Sequence, residues 1–188
     1  MPRNLREIYQ LKVTLKNIRP AIWRRVLVSS VTDLSELHRI LQIVMGWSDN
    51  HMHLFVAGNQ HFGNSDPDHD DRTLNETGVK LESLLKGRKD RLVYEYDFGD
   101  GWEHEVVLEE VLPYSIAQVL PLCMAGGRTC PPEDVGGPWG YELFLTALGD
   151  EHHPEHHEMC AWVGEQFDPE HFDVLQVNRQ LALALGRR

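Results

Sequence analysis

Two short runs near the start of the chain alternate between apolar and polar positions. In "IYQLKVTL", residues 8–15, Tyr9, Leu11, Val13 and Leu15 fall on one side of an extended chain. A period of two is typical of a β-strand with one buried face. The run "IWRRVLV" follows after the turn signal "NIRPA". The pattern therefore predicts a β-hairpin at the start of the domain.

The next segment has the spacing of an amphipathic helix. Apolar residues recur three or four positions apart through "LSELHRILQIVMGW". Asp33 can cap the first turn, with Glu36 three residues later as in a capping box, and Gly46 suits the position after the last turn. We expect a helix over 33–46. Its polar side is expected to carry Ser35, Arg39 and Gln42, with His38 near the border of the apolar stripe.

The middle of the chain alternates between short periodic runs and polar segments. "HMHLFVAG" is a strand candidate, with His51, His53 and Phe55 on one face. The polar stretch at 59–78 is rich in turn-forming residues and predicts a long loop. "VKLESLLKG" predicts a short helix or turn.

The segment "YEYDFGDGWEHEVVLEE" contains the letters D-F-G, which mark a magnesium site in protein kinases. Its apolar and aromatic residues alternate on both sides of Gly99-Asp100-Gly101, a strong tight-turn signal. A kinase would also need a Gly-rich phosphate loop, a strand lysine and an H-R-D catalytic loop, and the sequence has none of them. The segment therefore predicts a β-hairpin with the D-F-G at its tip.

The C-terminal part is predicted to be helical after an irregular stretch. A short linker leads into a Gly/Pro-rich loop over 126–138, and "GYELFLTAL" starts a helix. "HPEHHEMCAWVGEQF" predicts another, with Pro154 in its first turn, and the chain closes with a helical end. We expect one α+β domain over 1–188, with its core at about 8–178. A mixed or antiparallel sheet of about five strands would carry one long helix on a face, with C-terminal helices beside it. The opening order of elements suggests a β-grasp-like arrangement, by analogy only.

Composition and charge narrow the class of protein. The 188 residues are 41% hydrophobic and 25% charged, which suits one globular domain. No apolar run approaches the roughly 18 residues of a membrane span, and the N-terminus lacks the apolar region of a secretory signal. Three cysteines are few for a secreted disulfide scaffold, so we expect a reduced cytoplasmic protein.

The net charge of −11 is unevenly distributed. Residues 1–50 hold eight Lys or Arg against four Asp or Glu, and the rest of the chain holds ten against 25. Sequence-independent nucleic-acid binding needs a basic surface, and only "RPAIWRR" at 19–25 offers a local cluster. Nucleic acid is therefore a disfavoured partner, and we expect a protein or a small ligand instead.

Three groups of residues have metal-binding chemistry. Asp66, Asp68 and Asp70 imitate the start of a calcium loop, but Asp71 and Thr77 stand where glycine and a bidentate glutamate belong. Zinc could be held by thiols and histidines whose spacing is unspecific: Cys123, Cys130, Cys160, His152, His153, His156 and His157. The third group can bind a divalent metal and activate water: His51, His53, Asp97, Asp100 and His104. For His104, which shares a face with Trp102 and Val106, a packed core position is the favoured alternative.

The run "CPPEDVGGPWGYE" predicts a stiff loop, because prolines fix its backbone and glycines permit close approach. Glu133 and Asp134 would project from it. The loop could be a recognition element or could simply pack across the sheet. The candidate binding surface comprises Trp47, His51, His53, Asp97, Asp100, Trp102, His104, Glu133, Asp134 and Tyr141.

The chain contains four long motifs: "LHRILQIVMGWSDNHMHLF", "YEYDFGDGWEHEV", "CPPEDVGGPWGYELFLTAL" and "FDPEHFDVLQVN". Together they resemble the plasmid pRiA4b ORF-3-like family, which has the MM3350-like fold. The resemblance spans about 8–178 and implies a single α+β domain, found in bacteria and archaea and sometimes near mobile elements. It implies no catalytic residue, activity or cofactor. Relatives often have cysteine after the P-P-E-D, where this chain has Val135, which weakens a zinc site that uses Cys123 and Cys130.

Some relatives carry the label "transposon resolvase". A serine recombinase needs a nucleophilic serine among arginines, and no serine of this acidic chain lies in such a cluster. Two functions therefore remain in view, with a DNA-associated accessory role as a third. The first is a non-enzymatic binding or adaptor module that uses the candidate surface. The second is a metal-dependent hydrolase or nuclease that uses the His/Asp cluster in the same region.

Overall fold

The computed structural model describes residues 7–64, 72–164 and 167–186. The strands are β1 Glu7–Leu15, β2 Trp23–Ser29, β3 His53–Ala57, β4 Gln60–Gly63, β5 Thr73–Asn75, β6 Arg91–Tyr96, β7 Trp102–Pro113 and β8 Leu122–Gly127. The helices are α1 Leu34–Met45, α2 Leu81–Leu84, α3 Gly137–Gly149, α4 His156–Val163 and α5 Val174–Leu185. The calcium-like Asp66, Asp68 and Asp70 lie outside the described residues. No described helix has the length and apolar character to span a membrane.

The eight strands of the described residues form one sheet in the order β5-β4-β3-β6-β7-β1-β2-β8. Among these described strands only the β4–β5 pair is parallel, so the sheet is mixed and the fold is α+β. The expected count of about five strands is wrong. The additional strands β4, β5 and β8 are three to six residues long and lie where the sequence predicted a loop and a linker.

The two hairpins predicted from the alternating pattern are confirmed. β1 pairs with β2 from Ile8↔Ser29 to Thr14↔Trp23, and β6 pairs with β7 around a turn at 97–101. The sheet extends well beyond the predicted opening: β3 lies between β6 and β4, and the second neighbour of β1 is β7, which runs antiparallel to it. Strand pairing depends on partners far away in sequence, which a local pattern does not specify.

Helix α1 covers one face of the sheet and builds the core. Its N-cap Asp33 accepts a hydrogen bond from the Glu36 amide at 2.9 Å, and Gly46 ends it with a φ of 94°, as expected. The helix meets the inward-facing residues of β1, β6 and β7, which are almost fully buried. Gln42 differs from the expectation, because it is buried where the polar side of the helix was predicted. His38, predicted at the border of the apolar stripe, is buried as well, and the sheet offers Tyr94 as a polar partner to both.

The other face of the central strands is polar. Arg25 on β2 reaches across β1 to pair with Glu109 on β7 at 2.6 Å, and Arg91 on β6 pairs with Glu105 on the neighbouring β7 at 2.9 Å. These side chains alternate with the buried ones, as the period of two requires. Exposed pairs of this kind add little stability, so most of the stabilisation comes from the apolar side chains buried on the helix-covered face.

The three C-terminal helices confirm the predicted helical end. Helix α3 starts earlier than the sequence pattern indicated, at Gly137, and α4 starts later, at His156. α3 and α4 pack on each other, and α5 packs on β8 and α1. The Asn178 side chain joins α5 to the edge strand, since its amide bonds the backbone N–H and C=O of Cys123, both at 2.8 Å. The edge of the sheet is thereby covered by a helix.

Candidate metal centre

Three connecting segments meet at one end of the sheet: 46–52 after α1, the β6–β7 turn 97–101, and the loop 130–136 before α3. The Gly136 amide donates to the Asp100 carboxylate at 3.1 Å, which joins the last two segments. Gly137 has a φ of 70°, and a Cβ there would lie 2.4 Å from the Asp100 carbonyl oxygen. Only glycine therefore permits this close approach.

Buried aromatic rings form the floor below these segments. The Trp47 ring stacks on Tyr96 with centroids 4.9 Å apart and lies edge-on to His104 at 5.1 Å. Its indole N–H donates to the Pro131 carbonyl at 3.1 Å, which ties the 130–136 loop to the core. Stacked and edge-on rings are the preferred aromatic geometries. The floor therefore holds the overlying loops in a fixed position.

The centre of the site is the imidazole of His51, which faces three carboxylates. Its Nε2 lies 3.3 Å from Glu133 Oε2, 3.3 Å from Asp134 Oδ1 and 3.7 Å from Asp97 Oδ2. This nitrogen is buried and has no hydrogen-bond partner among the described residues. His51, Asp97 and Asp134 offer ligand atoms that lie within 4.8 Å of one another, and their types suit a divalent cation that would draw them closer.

Two of the carboxylates are held mainly through one oxygen and turn the other towards His51, and the Tyr96 hydroxyl also lies 3.4 Å from Glu133 Oε2. Glu133 Oε1 accepts from the Ser48 amide at 2.7 Å and from the Tyr96 hydroxyl at 3.2 Å. Asp97 Oδ1 accepts from the Gly99 amide at 3.0 Å. Burial raises the pKa of Tyr96 to about 12, so its hydroxyl stays protonated and donates to Glu133. Supporting hydrogen bonds of this kind orient metal ligands.

The backbone at the site is held in an uncommon conformation. Asp97 and Asp134 have φ angles of 55° and 60°, and Asp49 beside them has 57°. Aspartate tolerates this left-handed region better than most residues, although at a cost. Such positions gather at functional sites when the surrounding structure enforces them.

An open cleft of about 540 Å³ adjoins His51 and contains two further histidines. His53 Nε2 donates to Glu76 at 2.8 Å, and His38 Nε2 donates to Asp49 at 2.8 Å. The two rings stack with centroids 3.5 Å apart and planes inclined by 6°. The cleft thus places two His–carboxylate pairs side by side.

The tautomer of His38 follows from its partners. The Gln42 amide donates to the Tyr94 hydroxyl, so that hydroxyl donates its own proton to His38 Nδ1 at 2.8 Å. Burial, and then the neighbouring His53, lower the pKa of His38, so the imidazole is neutral near pH 7. Both ring nitrogens of His38 are therefore engaged within the protein, Nδ1 with the Tyr94 hydroxyl and Nε2 with Asp49, so the ring fixes the wall of the cleft and does not act as a general base.

The residues chosen from the sequence divide into three groups. His51, Asp97, Glu133 and Asp134 come together, and Asp100 lies beside them, bonded to the loop. His53 lies in the adjoining cleft with Glu76. The remaining four are buried in the core, where they cannot form an exposed surface in this conformation: Trp47, Trp102, His104 and Tyr141.

His104 occupies the core position that the sequence favoured for it. It is fully buried, its Nδ1 donates to the Tyr94 carbonyl at 3.1 Å, and burial lowers its pKa to about 4. It therefore stays neutral and bonded to the backbone. It does not join the group around His51.

The cysteine and histidine set does not gather into a zinc site. Cys123 and Cys130 are buried, and burial raises their thiol pKa values to about 11 and 12. Cys160 lies 3.5 Å from His156 Nε2 on α4. In the described part of the chain, the one group of at least three His, Cys or acidic ligand atoms within 4.8 Å is His51, Asp97 and Asp134.

Several site residues were missed by the sequence analysis. Asp49, Glu76 and Tyr94 were not among the candidate residues, and Gln42 was assigned to the exposed side of the helix. His38 gave a signal, because it stands at the edge of an apolar stripe. A polar residue at such a position requires a buried partner.

Comparisons with known proteins agree with this architecture. The family described as "Plasmid pRiA4b ORF-3-like protein" matches residues 7–176. "Uncharacterized protein y4hQ" of Sinorhizobium fredii (strain NBRC 101917 / NGR234) is 38% identical over 175 residues, which cover 92% of this chain and 89% of that protein. The crystal structure of a protein of unknown function, MM3350 from Methanosarcina mazei Go1, is 36% identical. It superposes with a TM-score of 0.82 over 92% of this chain and 98% of that one. On sequence and fold alike, the chain belongs to the plasmid pRiA4b ORF-3-like family.

Proposed function

We propose that the protein binds one divalent metal ion at His51 and the surrounding carboxylates. In this proposal it uses the ion for metal-assisted hydrolysis of a small polar substrate in the adjoining cleft. The observation that carries the proposal is the His51 Nε2 atom, which is buried, has no hydrogen bond to any described residue and faces acidic oxygens at 3.3–3.7 Å. An imidazolium that merely paired with these acids would be expected to hydrogen-bond one of them.

The donor set favours a particular kind of ion and chemistry. One imidazole with two or three carboxylates suits Mn²⁺ or Zn²⁺ better than Ca²⁺, because Ca²⁺ prefers a shell made only of oxygen ligands. Asp134 is 74% exposed, so the site opens to solvent on that side. A divalent ion held by few protein ligands keeps positions for water and substrate, lowers the pKa of bound water and polarises a substrate oxygen.

The cleft supplies the groups that such a reaction needs in addition to the ion. The His53 imidazole, with Glu76 behind it, can accept or hold a proton. Arg39 lines the same cleft and offers a positive charge to an anionic substrate. The proposed reaction class is therefore hydrolysis of a small anionic ester or amide.

Metal binding is tested by titrating metal-free protein with MnCl₂ or ZnCl₂ in a calorimeter. We expect one site per chain, and at least about a tenfold loss of affinity in each of His51→Ala and Asp97→Asn, because loss of even an outer partner of a metal ligand costs that much. His61→Ala and Asp150→Asn are matched controls in exposed positions and should bind as the unsubstituted protein does. Absence of stoichiometric binding, or equal binding by His51→Ala, overturns the metal centre.

Hydrolysis is tested with p-nitrophenyl phosphate and p-nitrophenyl acetate at saturating metal. We expect turnover that depends on the ion and is lost in His51→Ala. Stoichiometric metal without turnover of any ester, phosphate or amide probe would leave a metal-binding protein and contradict the hydrolase.

A non-enzymatic binding module is the second candidate function, because one surface of the molecule exposes large apolar side chains. Trp139, Leu143 and Trp162 are 73%, 48% and 47% exposed, whereas the aromatic residues named from the sequence are buried. A binding role would therefore use the helices α3 and α4 in place of the aromatic floor of the metal centre.

A DNA-associated role receives little support from the arginines of the 19–25 segment. The Arg24 guanidinium is buried and bonds the carbonyls of Val44 and Gly127 at 2.6 and 2.9 Å. Arg25 pairs with Glu109. Two of the three arginines are thus occupied within the protein, and the local basic cluster is not free to contact a phosphate backbone.

A further inference from the structure

An apolar groove of about 550 Å³ runs between α3 and α4. Phe144 lies at its base, 3% exposed, and Trp162 packs edge-on to Phe144 with centroids 5.8 Å apart. The walls are formed by apolar side chains of both helices and the preceding loop: Val135, Trp139, Leu143, Met159 and Trp162. Monomeric proteins rarely leave such a contiguous apolar surface open unless it contacts a partner or a ligand.

The rim of the groove is acidic. Asp134, Glu155 and Glu158 line it and are exposed, and none of the described residues that line it is Lys or Arg. The surrounding sequence is equally one-sided: between Arg128 and Arg179 the chain has no Lys or Arg and eleven Asp or Glu. The charge that complements this surface is positive.

The residue types are those of a protein-binding surface. Tryptophan and methionine are enriched at interfaces, and tryptophan is the residue that most often carries a large share of the binding energy. An apolar groove between two helices suits an amphipathic segment that inserts apolar anchors, while acidic rims select basic flanking residues. A small ligand would leave much of this open groove exposed.

We propose that the α3–α4 groove docks a basic amphipathic segment of a partner protein, with Trp139 and Trp162 as its main anchors. This inference rests on the binding role named above as the second candidate and does not require the metal. The groove reaches the metal centre at Asp134, because this residue both lines the groove and belongs to the metal centre. Substitutions for the test are therefore taken from the helices and not from that residue.

The test uses two fluorescein-labelled synthetic peptides of 18 residues, one with the Leu/Lys pattern of an amphipathic helix and one with Glu in place of every Lys. Fluorescence polarisation with the full chain is expected to show saturable binding of the Leu/Lys peptide only. The affinity should fall as salt rises from 50 to 300 mM, because the acidic rim contributes through screened charges.

Substitutions then locate the binding site. Trp139→Ala and Trp162→Ala should each weaken binding of the Leu/Lys peptide at least about tenfold, as hot-spot residues do. Glu158→Lys should weaken it and reduce the salt dependence. Ile116→Ala is the matched control, because Ile116 is 93% exposed and lies outside the groove. Circular dichroism and thermal unfolding of each variant verify that the fold is retained.

Three outcomes overturn the inference while a binding function survives. Equal binding of both peptides removes the charge argument. Binding that Trp139→Ala and Trp162→Ala leave unchanged removes this groove as the site. Light scattering that shows a dimer lost in Trp162→Ala identifies a second copy of the chain as the occupant. If neither peptide binds, the groove and the second candidate function are overturned together. The metal titration decides the first candidate function independently.

Discussion

At the scale of single residues, Gly137 controls how closely two loops of the metal centre approach each other. Its φ is 70°, and a Cβ on this residue would lie only 2.4 Å from the Asp100 carbonyl oxygen, which leaves no room for a side chain. The same contact region holds the hydrogen bond from the Gly136 amide to the Asp100 carboxylate. A change of one methyl group there acts on both backbone conformation and loop spacing.

We expect Gly137→Ala to lower the free energy of unfolding by roughly 1–3 kcal/mol, the usual cost of a strained backbone position. Urea denaturation measures the change. Gly149→Ala is the matched control, since a Cβ there meets no atom within 4 Å and should change the stability by less than about 0.5 kcal/mol. Equal effects of the two substitutions would show that the close approach does not matter.

At the scale of elements, α1 depends on a cap that its own sequence supplies. Asp33 Oδ1 accepts from the Glu36 amide, and its second oxygen accepts from the Lys80 ammonium at 3.3 Å. Because α1 contributes the largest helical share of the core, fraying of its first turn would loosen Leu34 and Leu37 from the sheet.

Asp33→Ala should therefore destabilise the protein by about 1 kcal/mol, the typical value for loss of an N-cap acceptor. Asp33→Asn retains a capping oxygen and should lower the free energy of unfolding by only a few tenths of a kcal/mol. Chemical denaturation of the two variants gives the comparison. A loss as large for asparagine as for alanine would assign the effect to the Lys80 contact and not to the cap.

The same elements explain what sequence could predict. α1 and the two hairpins were predictable because their signals are local: a periodic stripe, a cap and a glycine turn. β4, β5 and β8 were not, because each is short and exists only through pairing with a neighbour. The burial of Gln42 was missed because it depends on Tyr94, a residue more than fifty positions away that helix periodicity does not reveal.

The metal centre was predictable in part. His51, Asp97, Glu133 and Asp134 could be named from residue type and turn signals, but their meeting depends on three loops whose relative position is fixed by packing. The rings of Trp47 and Trp102 were expected at the surface because they flank those loops. In the fold they lie beneath them, where Trp47 bonds the Pro131 carbonyl.

At the scale of the whole molecule, buried histidines couple stability to pH. Burial lowers the pKa of His104 from 6.5 to about 4, and it also lowers the pKa of His38. Between about pH 6.5 and 4 the unfolded chain binds a proton at His104 that the folded chain does not bind, and His38 acts in the same sense. The unfolded state therefore gains relative stability as the pH falls through this range, and above it the effect of these histidines is constant.

For His104 the expected loss of unfolding free energy between pH 7 and pH 5 is about 2 kcal/mol, at roughly 1.4 kcal/mol for each pKa unit. His104→Asn retains an N–H donor for the Tyr94 carbonyl but does not titrate. It should be less stable at every pH because it leaves a cavity, yet its stability should change less between the two pH values. His61→Asn, at an exposed position, should follow the unsubstituted protein. Urea denaturation at both pH values gives the change in unfolding free energy between them. An equal change in His104→Asn and in the unsubstituted protein would mean that His104 takes up its proton as readily in the folded chain as in the unfolded chain.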